Sequence, residues 1–174
     1  LPVADMAARL GIGSLPRSGP KAIAPTEASL ALGAREITPL EMANAYSVFA
    51  GKSIARNPAT LVSGVRTDTG AKIPVSDPDC HQEIAPAVAD SVADALRQPL
   101  TPGGSIGAMG GLAGRDSGAK TGTTNDYMAN WTVGITPQFS TAVWLGDPRG
   151  AAKYPLTELQ AYGRTFYNLT GSEV

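Results

Sequence analysis

The sequence predicts an α+β domain, in which helices come first, antiparallel strands follow and a helix closes the chain. Three observations support this fold class. Two segments before residue 100 carry apolar side chains at helical spacing. Between residues 119 and 147, three short runs have the length and the side chains of strands. The last apolar residues of the chain return to helical spacing.

One helix is predicted within the first 51 residues, after a short apolar-periodic segment. Residues 3–10 are periodic in apolar side chains, and Gly11 terminates this segment. Residues 38–41, Thr-Pro-Leu-Glu, combine an N-cap threonine, a proline at the first helical position and a glutamate that completes a capping box. A helix should therefore follow and end at Gly51. Its predicted buried stripe consists of Met42, Ala45, Tyr46 and Phe49.

The middle of the chain predicts a hairpin, a loop and a second helix. Two β-rich runs flank the turn signal Asp68-Thr69-Gly70. Residues 77–82 are typical of a loop. The adjacent Cys80 and His81 in it have diverging side chains and no third ligand nearby, so we expect no catalytic or metal site there. Residues 86–98 form an amphipathic helical pattern. Its predicted buried face consists of Val88, Val92, Ala95 and Leu96.

A glycine-rich loop and the strands come next. Seven glycines lie in the nineteen residues 100–118. A segment with so many glycines has too few side chains to bury and does not order strongly. We therefore expect a mobile loop beside the functional site. Three consecutive antiparallel strands should follow, in residues 119–126, 130–136 and 141–147. A closing helix, packed on the sheet, is predicted from the spacing of Leu159, Tyr162, Phe166 and Leu169.

The stretch 119–126, AKTGTTND, opens a strand with unusual residue types. Alternate side chains of a strand share a face, so Lys120 and Gly122 should point one way and Thr121 and Thr123 the other. Glycine inside a strand often marks the close approach of a ligand. An ammonium, hydroxyls and backbone N–H groups suit an anionic or carbonyl-bearing guest, and an extended peptide could pair with the edge. The alternative is an ordinary edge strand with a solvated lysine.

Composition and charge exclude several classes of partner. The chain has 174 residues, of which 43% are hydrophobic, enough for one domain with a core. Its 14 basic and 15 acidic residues are well mixed and give a net charge of −1, so no nucleic acid partner is predicted. A single cysteine excludes an internal disulfide and a cysteine cluster for zinc. No run approaches the roughly 20 apolar residues of a bilayer span, and the start lacks a signal-peptide pattern.

Two long blocks resemble the C-terminal half of the transpeptidase domain of class A penicillin-binding proteins. They are ASLALGAREITPLEMANAYSVFA at 28–50 and AKTGTTNDYMANWTVGITPQFSTAVWLGD at 119–147. The resemblance runs from about residue 3 to residue 146. It implies the penicillin-binding or serine β-lactamase-like fold. It also implies a serine acyltransferase whose motifs S-x-x-K, S-x-N and K-T-G follow in that order.

The resemblance assigns roles to the K-T-G strand. Lys120 would be catalytic, because it would shape the field around the nucleophile and assist proton transfer with the S-x-N serine. Thr121 and Thr123 would hold the carboxylate of a donor peptide or a β-lactam, and the Thr123 N–H would donate to the oxyanion. Gly122 would keep the strand bare enough for the acyl group. No metal or organic cofactor is implied.

The first two motifs are missing from these 174 residues. No serine is followed two residues later by asparagine. S-x-x-K occurs at 18–21 and 117–120, but glycine and proline interrupt the first match, and the second runs into the K-T-G strand. Smaller departures are FAGKS, where the family has an Asn-Gly-Gly type turn, and NWTVG, where an aromatic often follows the tryptophan. Trp131 and Trp144 are expected to pack in the sheet rather than to contact a ligand.

We therefore expect residues 1–174 to be a partial transpeptidase domain that is preceded by the part carrying the first two motifs. The complete protein would be a D,D-transpeptidase that acylates its serine with a peptidoglycan stem peptide ending in D-Ala-D-Ala. β-Lactams would trap the same acyl-enzyme. This chain alone should be inactive without the missing N-terminal half of the domain. The resemblance places the protein at the extracytoplasmic face of the bacterial inner membrane, with its anchor outside this chain.

Two alternatives stay open at this point. The first is a serine D,D-carboxypeptidase or β-lactamase-like hydrolase of the same fold, with water as the acceptor. The second is a non-catalytic module that keeps the peptide-docking strand and has lost acyl transfer. Comparing amine transfer with hydrolysis on one donor peptide distinguishes the first alternative from the transpeptidase. The absence of an S-x-x-K motif upstream of this chain would favour the second alternative.

Overall fold

The computed structural model describes residues 2–16, 18–19, 22–51, 54–57, 65–73, 79–150 and 152–173. The helices in this part of the chain are α1 (Pro2–Arg9), α2 (Pro39–Ala50) and α3 (Pro86–Arg97). The strands there are β1 (Ile54–Asn57), β2 (Val65–Arg66), β3 (Lys72–Ile73), β4 (Asp79–Gln82), β5 (Gly118–Thr123), β6 (Ala129–Ile135), β7 (Ser140–Gly146), β8 (Glu158–Ala161) and β9 (Arg164–Tyr167). The α+β class is confirmed. Of the helices within these ranges, none has the length and apolar character needed to cross a membrane.

Helix α2 begins as the sequence predicts. Thr38 is its N-cap, and the Thr38 Oγ1 accepts a hydrogen bond from the Glu41 backbone N–H at 3.2 Å. The Glu41 carboxylate accepts from the Thr38 N–H at 3.1 Å, which completes the capping box, and Gly51 is the C-cap. The same carboxylate accepts from the Ser14 N–H at 2.7 Å. Glu41 therefore fixes both the start of α2 and the segment that follows α1.

Helix α2 is covered on more sides than the predicted stripe requires. Its most buried residues are Ala45 and Val48, and Val48 is 0% exposed. Met42, Tyr46 and Phe49 of the predicted stripe are half-buried. The helix packs against β1, β6, β7 and α3. Periodicity finds the most apolar stripe of a helix, but it does not show how many neighbours surround that helix.

Helix α3 matches the predicted bounds within one residue, but its buried face is rotated. Ala89 and Leu96 are buried and Val92 is half-buried, whereas Val88 is 52% exposed and Ala95 is exposed. The prediction was therefore wrong for Val88 and Ala95. Small apolar residues occur on both sides of this helix, so the sequence does not separate two adjacent faces. The contacts of α3 with α2 and β5 decide which face is buried.

The main sheet is antiparallel with the strand order β5-β6-β7, which confirms the three predicted strands. Thr123 of β5 pairs with Asn130 of β6. Trp131 and Trp144 lie directly opposite each other in β6 and β7, and both are half-buried, as expected for residues that pack within the sheet. Helix α3 contacts β5, and α2 contacts β6 and β7. The helices therefore support the sheet along all three strands.

Two pairs of short strands lie between α2 and α3. Strands β2 and β3 form the predicted hairpin, with Gly70 at a φ of 85° in its turn. The prediction of a loop over 77–82 was wrong for Asp79–Gln82, which form β4 and pair with β1. This pairing depends on a strand distant in the sequence, so a local pattern does not reveal it. Residues 77–78 and the outer parts of the two β-rich runs lie outside the described residues.

The prediction of a closing helix was wrong, because the described chain ends in a β-hairpin and a 3₁₀ turn. Strands β8 and β9 are antiparallel, with Leu159 opposite Phe166. Tyr162 and Gly163 connect them at φ values of 52° and 70°, which is the two-residue loop of type I′ form that twisted hairpins prefer. Tyr162 is 97% exposed, whereas Leu169 is 3% exposed. The helical spacing of these apolar residues is therefore coincidental.

The glycine-rich segment is a succession of turns, which confirms the predicted loop. Ile106 anchors it, since this side chain is 5% exposed and its N–H donates to the Pro99 carbonyl at 3.1 Å. A Cβ on Gly104 would lie 2.5 Å from the carbonyl oxygens of Gln98 and Pro99. Glycine at this position therefore permits close packing on the turn after α3. The mobility of the loop stays a prediction.

The approach of α3 to the start of β5 generates a stability prediction. A Cβ on Gly118 would lie 2.9 Å from the Leu96 Cβ, so Gly118→Ala forces helix and strand apart. We expect a loss of about 1–3 kcal/mol in the free energy of unfolding, measured by denaturant titration. The matched control is Gly134→Ala on β6, where the nearest atom is 3.9 Å away. Equal losses in the two variants would contradict the close approach.

The bridging role of Glu41 generates a pH prediction. Burial raises the pKa of this carboxyl, but hydrogen bonds from Thr38 and Ser14 outweigh burial, and the pKa lies below its ordinary value of 4.5. The stabilisation is therefore present above pH 4.5 and is lost as the pH falls through the folded-state pKa. Glu41→Gln should lose less stability than the wild type between pH 7 and pH 3. Glu36→Gln, at an exposed glutamate, should follow the wild-type curve.

Candidate active site

Strand β5 carries the predicted site along an open edge. Among the described strands, it pairs with β6 alone. The Thr124 N–H donates to the Ala129 carbonyl at 3.0 Å. The backbone N–H and carbonyl groups of Thr124 therefore point inward, toward β6. Inward and outward pairs alternate along an antiparallel strand. The backbone N–H and carbonyl groups of Thr121 and Thr123 therefore point to the open edge.

Lys120 places its charge beside this edge. Its side chain is exposed, and its Nζ donates to the Thr121 carbonyl at 2.6 Å. That carbonyl is one of the outward-pointing groups, so the ammonium lies next to the outward N–H groups of β5. Positive charge and N–H donors thus face the same space, where an anion or a polarised carbonyl oxygen could be bound.

The side chains of β5 alternate as predicted. Thr121 and Thr123 lie on the face covered by a C-terminal 3₁₀ turn, Gly171–Glu173, because the Gly171 N–H donates to the Thr123 Oγ1 at 3.0 Å. Gly122 faces the opposite way, and a Cβ there would lie 3.7 Å from the Trp131 Cβ. This is an ordinary contact distance. Within the described chain nothing demands glycine at this position.

Sequence reasoning missed the residues that hold the C-terminal turn. The Asn130 Nδ2 donates to the Leu169 carbonyl at 2.7 Å, and the Thr132 Oγ1 donates to the Gly171 carbonyl. Both side chains lie on β6, on the same face as the two threonines of β5. The one local signal is Thr-Gly-Ser-Glu at 170–173, a capping pattern that indicates a helical turn. Nothing in it indicates where the turn docks.

A separate cavity of about 100 Å³ lies near the beginning of β5. Its lining includes Phe49, Arg97, Asp116, Gly118 and Ile135, and none of the four predicted site residues. The Arg97 Nε donates to the Asp116 Oδ1 at 2.6 Å, and this hydrogen bond holds the pKa of Asp116 below its ordinary value. The two charges neutralise each other. They join α3 to the segment before β5.

The match to S-x-x-K at 117–120 does not have the geometry of a nucleophile motif. Gly118 opens β5, so extended chain rather than a helical turn separates Ser117 from Lys120. The Ser117 Oγ accepts instead from the Leu112 N–H at 3.1 Å. In the match at 18–21, the lysine lies outside the described residues.

Nothing in the described ranges brings together three histidine, cysteine, aspartate or glutamate side chains that could hold a metal ion. Cys80 is exposed. The His81 Nε2 lies 2.9 Å from the Glu83 Oε2, and Glu83 also pairs with Arg9. Cys80 and His81 lie on β4, which belongs to a different sheet from the K-T-G strand.

Comparison with known families identifies the domain. The family described as "Penicillin binding protein transpeptidase domain" matches residues 4–155. The chain belongs to this family. The match contains both sequence blocks that carry the resemblance, which is thereby confirmed. The helices and antiparallel sheets are accordingly those of a penicillin-binding transpeptidase domain.

Relatives of this transpeptidase domain are named penicillin-binding protein 1A. The protein of that name from Mycobacterium tuberculosis is 36% identical over 133 residues, and the one from Aquifex aeolicus is 32% identical over 118 residues. The alignments cover 72% and 68% of this chain. The chain spans 16% of the length of each of these two relatives.

Solved structures of penicillin-binding proteins share the fold. PonA1 from Mycobacterium tuberculosis superimposes with a TM-score of 0.76 and 33% identity, over 98% of this chain and 45% of that chain. Penicillin-binding protein A from the same organism was solved as an imipenem acyl-enzyme complex. It superimposes with a TM-score of 0.59 and 23% identity, over 81% of this chain and 35% of that chain. At this identity the likeness concerns the fold alone.

Proposed function

We propose that residues 1–174 are the C-terminal part of a D,D-transpeptidase domain and form one wall of its acylation site. Lys120 is the catalytic residue of this wall, and Thr121, Gly122 and Thr123 bind the substrate. The observation that carries the proposal is the open edge of β5, where the Lys120 ammonium lies beside outward backbone N–H groups. The S-x-x-K and S-x-N motifs are supplied by parts of the protein outside these residues.

The proposed reaction is acyl transfer through a serine ester. The serine Oγ attacks the carbonyl carbon between the two terminal D-alanines of a peptidoglycan stem peptide, and its proton passes to a neighbouring base. The C–N bond then breaks, and the terminal D-alanine leaves with that proton on its amino group. The amine of a second stem peptide attacks the ester, forms the cross-link and restores the serine hydroxyl. These steps require no metal or organic cofactor.

Three features of β5 suit this chemistry. The outward Thr123 N–H can donate to the oxyanion that forms when the carbonyl is attacked. The Lys120 ammonium adds positive charge at the same edge and favours deprotonation of a nearby hydroxyl. The hydroxyls of Thr121 and Thr123 can donate to the terminal carboxylate of the peptide. One strand thus supplies groups for both binding and transition-state stabilisation.

β-Lactams should occupy the same site, since they also present a carbonyl and a carboxylate. When the serine attacks, the ring C–N bond opens, but the amine stays attached to the acyl group and does not leave. The acyl-enzyme therefore persists. The imipenem acyl-enzyme of a protein with the same fold supports this expectation.

The proposed reaction also defines the setting of the protein. Its partners are stem peptides, β-lactams and the missing N-terminal half of the domain. Because peptidoglycan is assembled outside the cytoplasmic membrane, we place the protein at the extracytoplasmic face of the inner membrane. A serine D,D-carboxypeptidase or β-lactamase would use water as the acceptor at the same strand. The similarity to penicillin-binding proteins 1A favours transfer to an amine.

The role of Lys120 is tested in the full-length protein that contains this chain. Lys120→Ala should lower the second-order rate of acylation by a fluorescent penicillin by about 100-fold or more, because the charge beside the nucleophile is lost. The matched control is Lys153→Ala, at another exposed lysine, which should keep the wild-type rate. Wild-type acylation of the Lys120→Ala protein would contradict a catalytic K-T-G strand.

The proposal that the nucleophile lies outside these 174 residues is tested by measuring intact mass. After incubation with a penicillin, the full-length protein should gain the mass of one adduct, and the isolated 174 residues should gain none. A stable adduct on the isolated chain would show that it contains its own nucleophile. An unmodified full-length protein would favour the docking module over the transpeptidase.

A further inference from the structure

We infer that the C-terminal turn Gly171–Glu173 positions the Thr123 hydroxyl for carboxylate binding, and that Asn130 and Thr132 hold this turn in place. The inference rests on the proposed function of β5 and deepens it. It starts from the hydrogen bond that the Gly171 N–H donates to the Thr123 Oγ1 at 3.0 Å. The two residues are far apart in the chain, so the contact exists only in the folded domain.

The direction of this hydrogen bond decides what the hydroxyl can do. A threonine hydroxyl has one proton to donate and two lone pairs that accept. The Gly171 N–H occupies a lone pair of the Thr123 Oγ1 and cannot accept the hydroxyl proton. That proton therefore stays available for an acceptor such as a carboxylate. The contact also restricts rotation of the threonine side chain, which lowers the entropy lost when a ligand binds.

The turn is seated directly on the backbone of the sheet. Gly171 is buried, and a Cβ there would lie 2.6 Å from the Trp131 carbonyl oxygen and 2.9 Å from the Gly122 carbonyl oxygen. Only glycine permits this approach. The turn is closed internally by Glu173, whose carboxylate accepts from the Thr170 N–H at 2.9 Å and from the Thr170 hydroxyl at 3.0 Å.

Two side chains of β6 fix the turn over Thr123. The Thr132 Oγ1 donates to the Gly171 carbonyl, and the Asn130 Nδ2 donates to the Leu169 carbonyl at 2.7 Å. Asn130 is 0% exposed, and its Oδ1 has no hydrogen-bond partner within the described part of the chain. Burying an amide with an unpaired oxygen costs stability, and an apolar side chain would pack there at lower cost. The amide is therefore explained by the hydrogen bond that it donates to the turn.

The test uses the full-length protein and a variant of nearly equal shape. Thr132→Val removes the hydroxyl under Gly171, and Thr132→Ser keeps it. Thr132→Val should lower the rate of acylation by a penicillin about three- to tenfold, the worth of one hydrogen bond, and Thr132→Ser should restore it. The methyl ester of the same penicillin has no carboxylate, so its rate should change little. Thr141→Val, on the same sheet face of β7, is the matched control.

A double-mutant cycle separates positioning from general destabilisation. If the turn acts through Thr123, then Thr132→Val should have no further effect on acylation in a Thr123→Val protein. Independent, additive losses, or an equal loss with the ester, would overturn the inference.

Hydrogen exchange supplies a readout that does not depend on acylation. In the full-length protein, Thr123→Val should speed amide exchange in a peptide covering residues 170–173 by about threefold or more, because the acceptor of the Gly171 N–H is lost. Unchanged exchange would overturn the positioning role. If Thr123→Val speeds this exchange but the wild-type protein is not acylated, the contact is established and the proposed function is contradicted.

Discussion

The register of β5 on β6 determines which groups of the site strand meet solvent. The Thr124 hydroxyl accepts from the Ala129 N–H at 2.7 Å and donates to the Ala129 carbonyl at 3.0 Å, which ties the two strands together where they connect. Shifting this pairing by one residue would turn the outward N–H groups toward β6 and move each side chain to the other face. The lysine side chain, the threonine hydroxyls and the outward N–H groups have their observed positions only in this register.

The helices give this strand a rigid support. Leu96 of α3 packs against Gly118, which leaves no space for a Cβ and fixes the start of β5. Helix α2 is covered by the sheet and by α3, and Val48 at its centre is fully buried. Close packing of this kind resists small displacements, and catalytic groups depend on such resistance, because an error of about 1 Å can cost 100-fold in rate. The backbone position of Lys120 is thus set in part by residues outside the K-T-G motif.

The C-terminal turn adds a second support on the opposite face of β5. Helix α3 approaches the strand at Gly118, whereas the turn covers Thr121 and Thr123. The strand is therefore held from both faces while its edge stays open, and the proposed binding of an extended peptide would use that edge. The supporting residues of β6, Asn130 and Thr132, use hydrogen bonds rather than apolar contacts. Such bonds are directional, and direction is what a hydroxyl donor needs.

The sequence by itself determined the features that depend on neighbouring residues. The Thr38 to Glu41 capping box, the three strands of the main sheet and the alternation of Lys120 with Thr121 follow from interactions within a few residues. Tertiary structure decided the rest: the buried face of α3, the pairing of β4 with β1, and the hairpin at Tyr162 where apolar spacing favoured a helix. It also placed Gly171 beside Thr123. The physical reason is that each of these outcomes depends on burial or hydrogen bonding between segments distant in the chain, and a local pattern contains no information about which distant partner arrives.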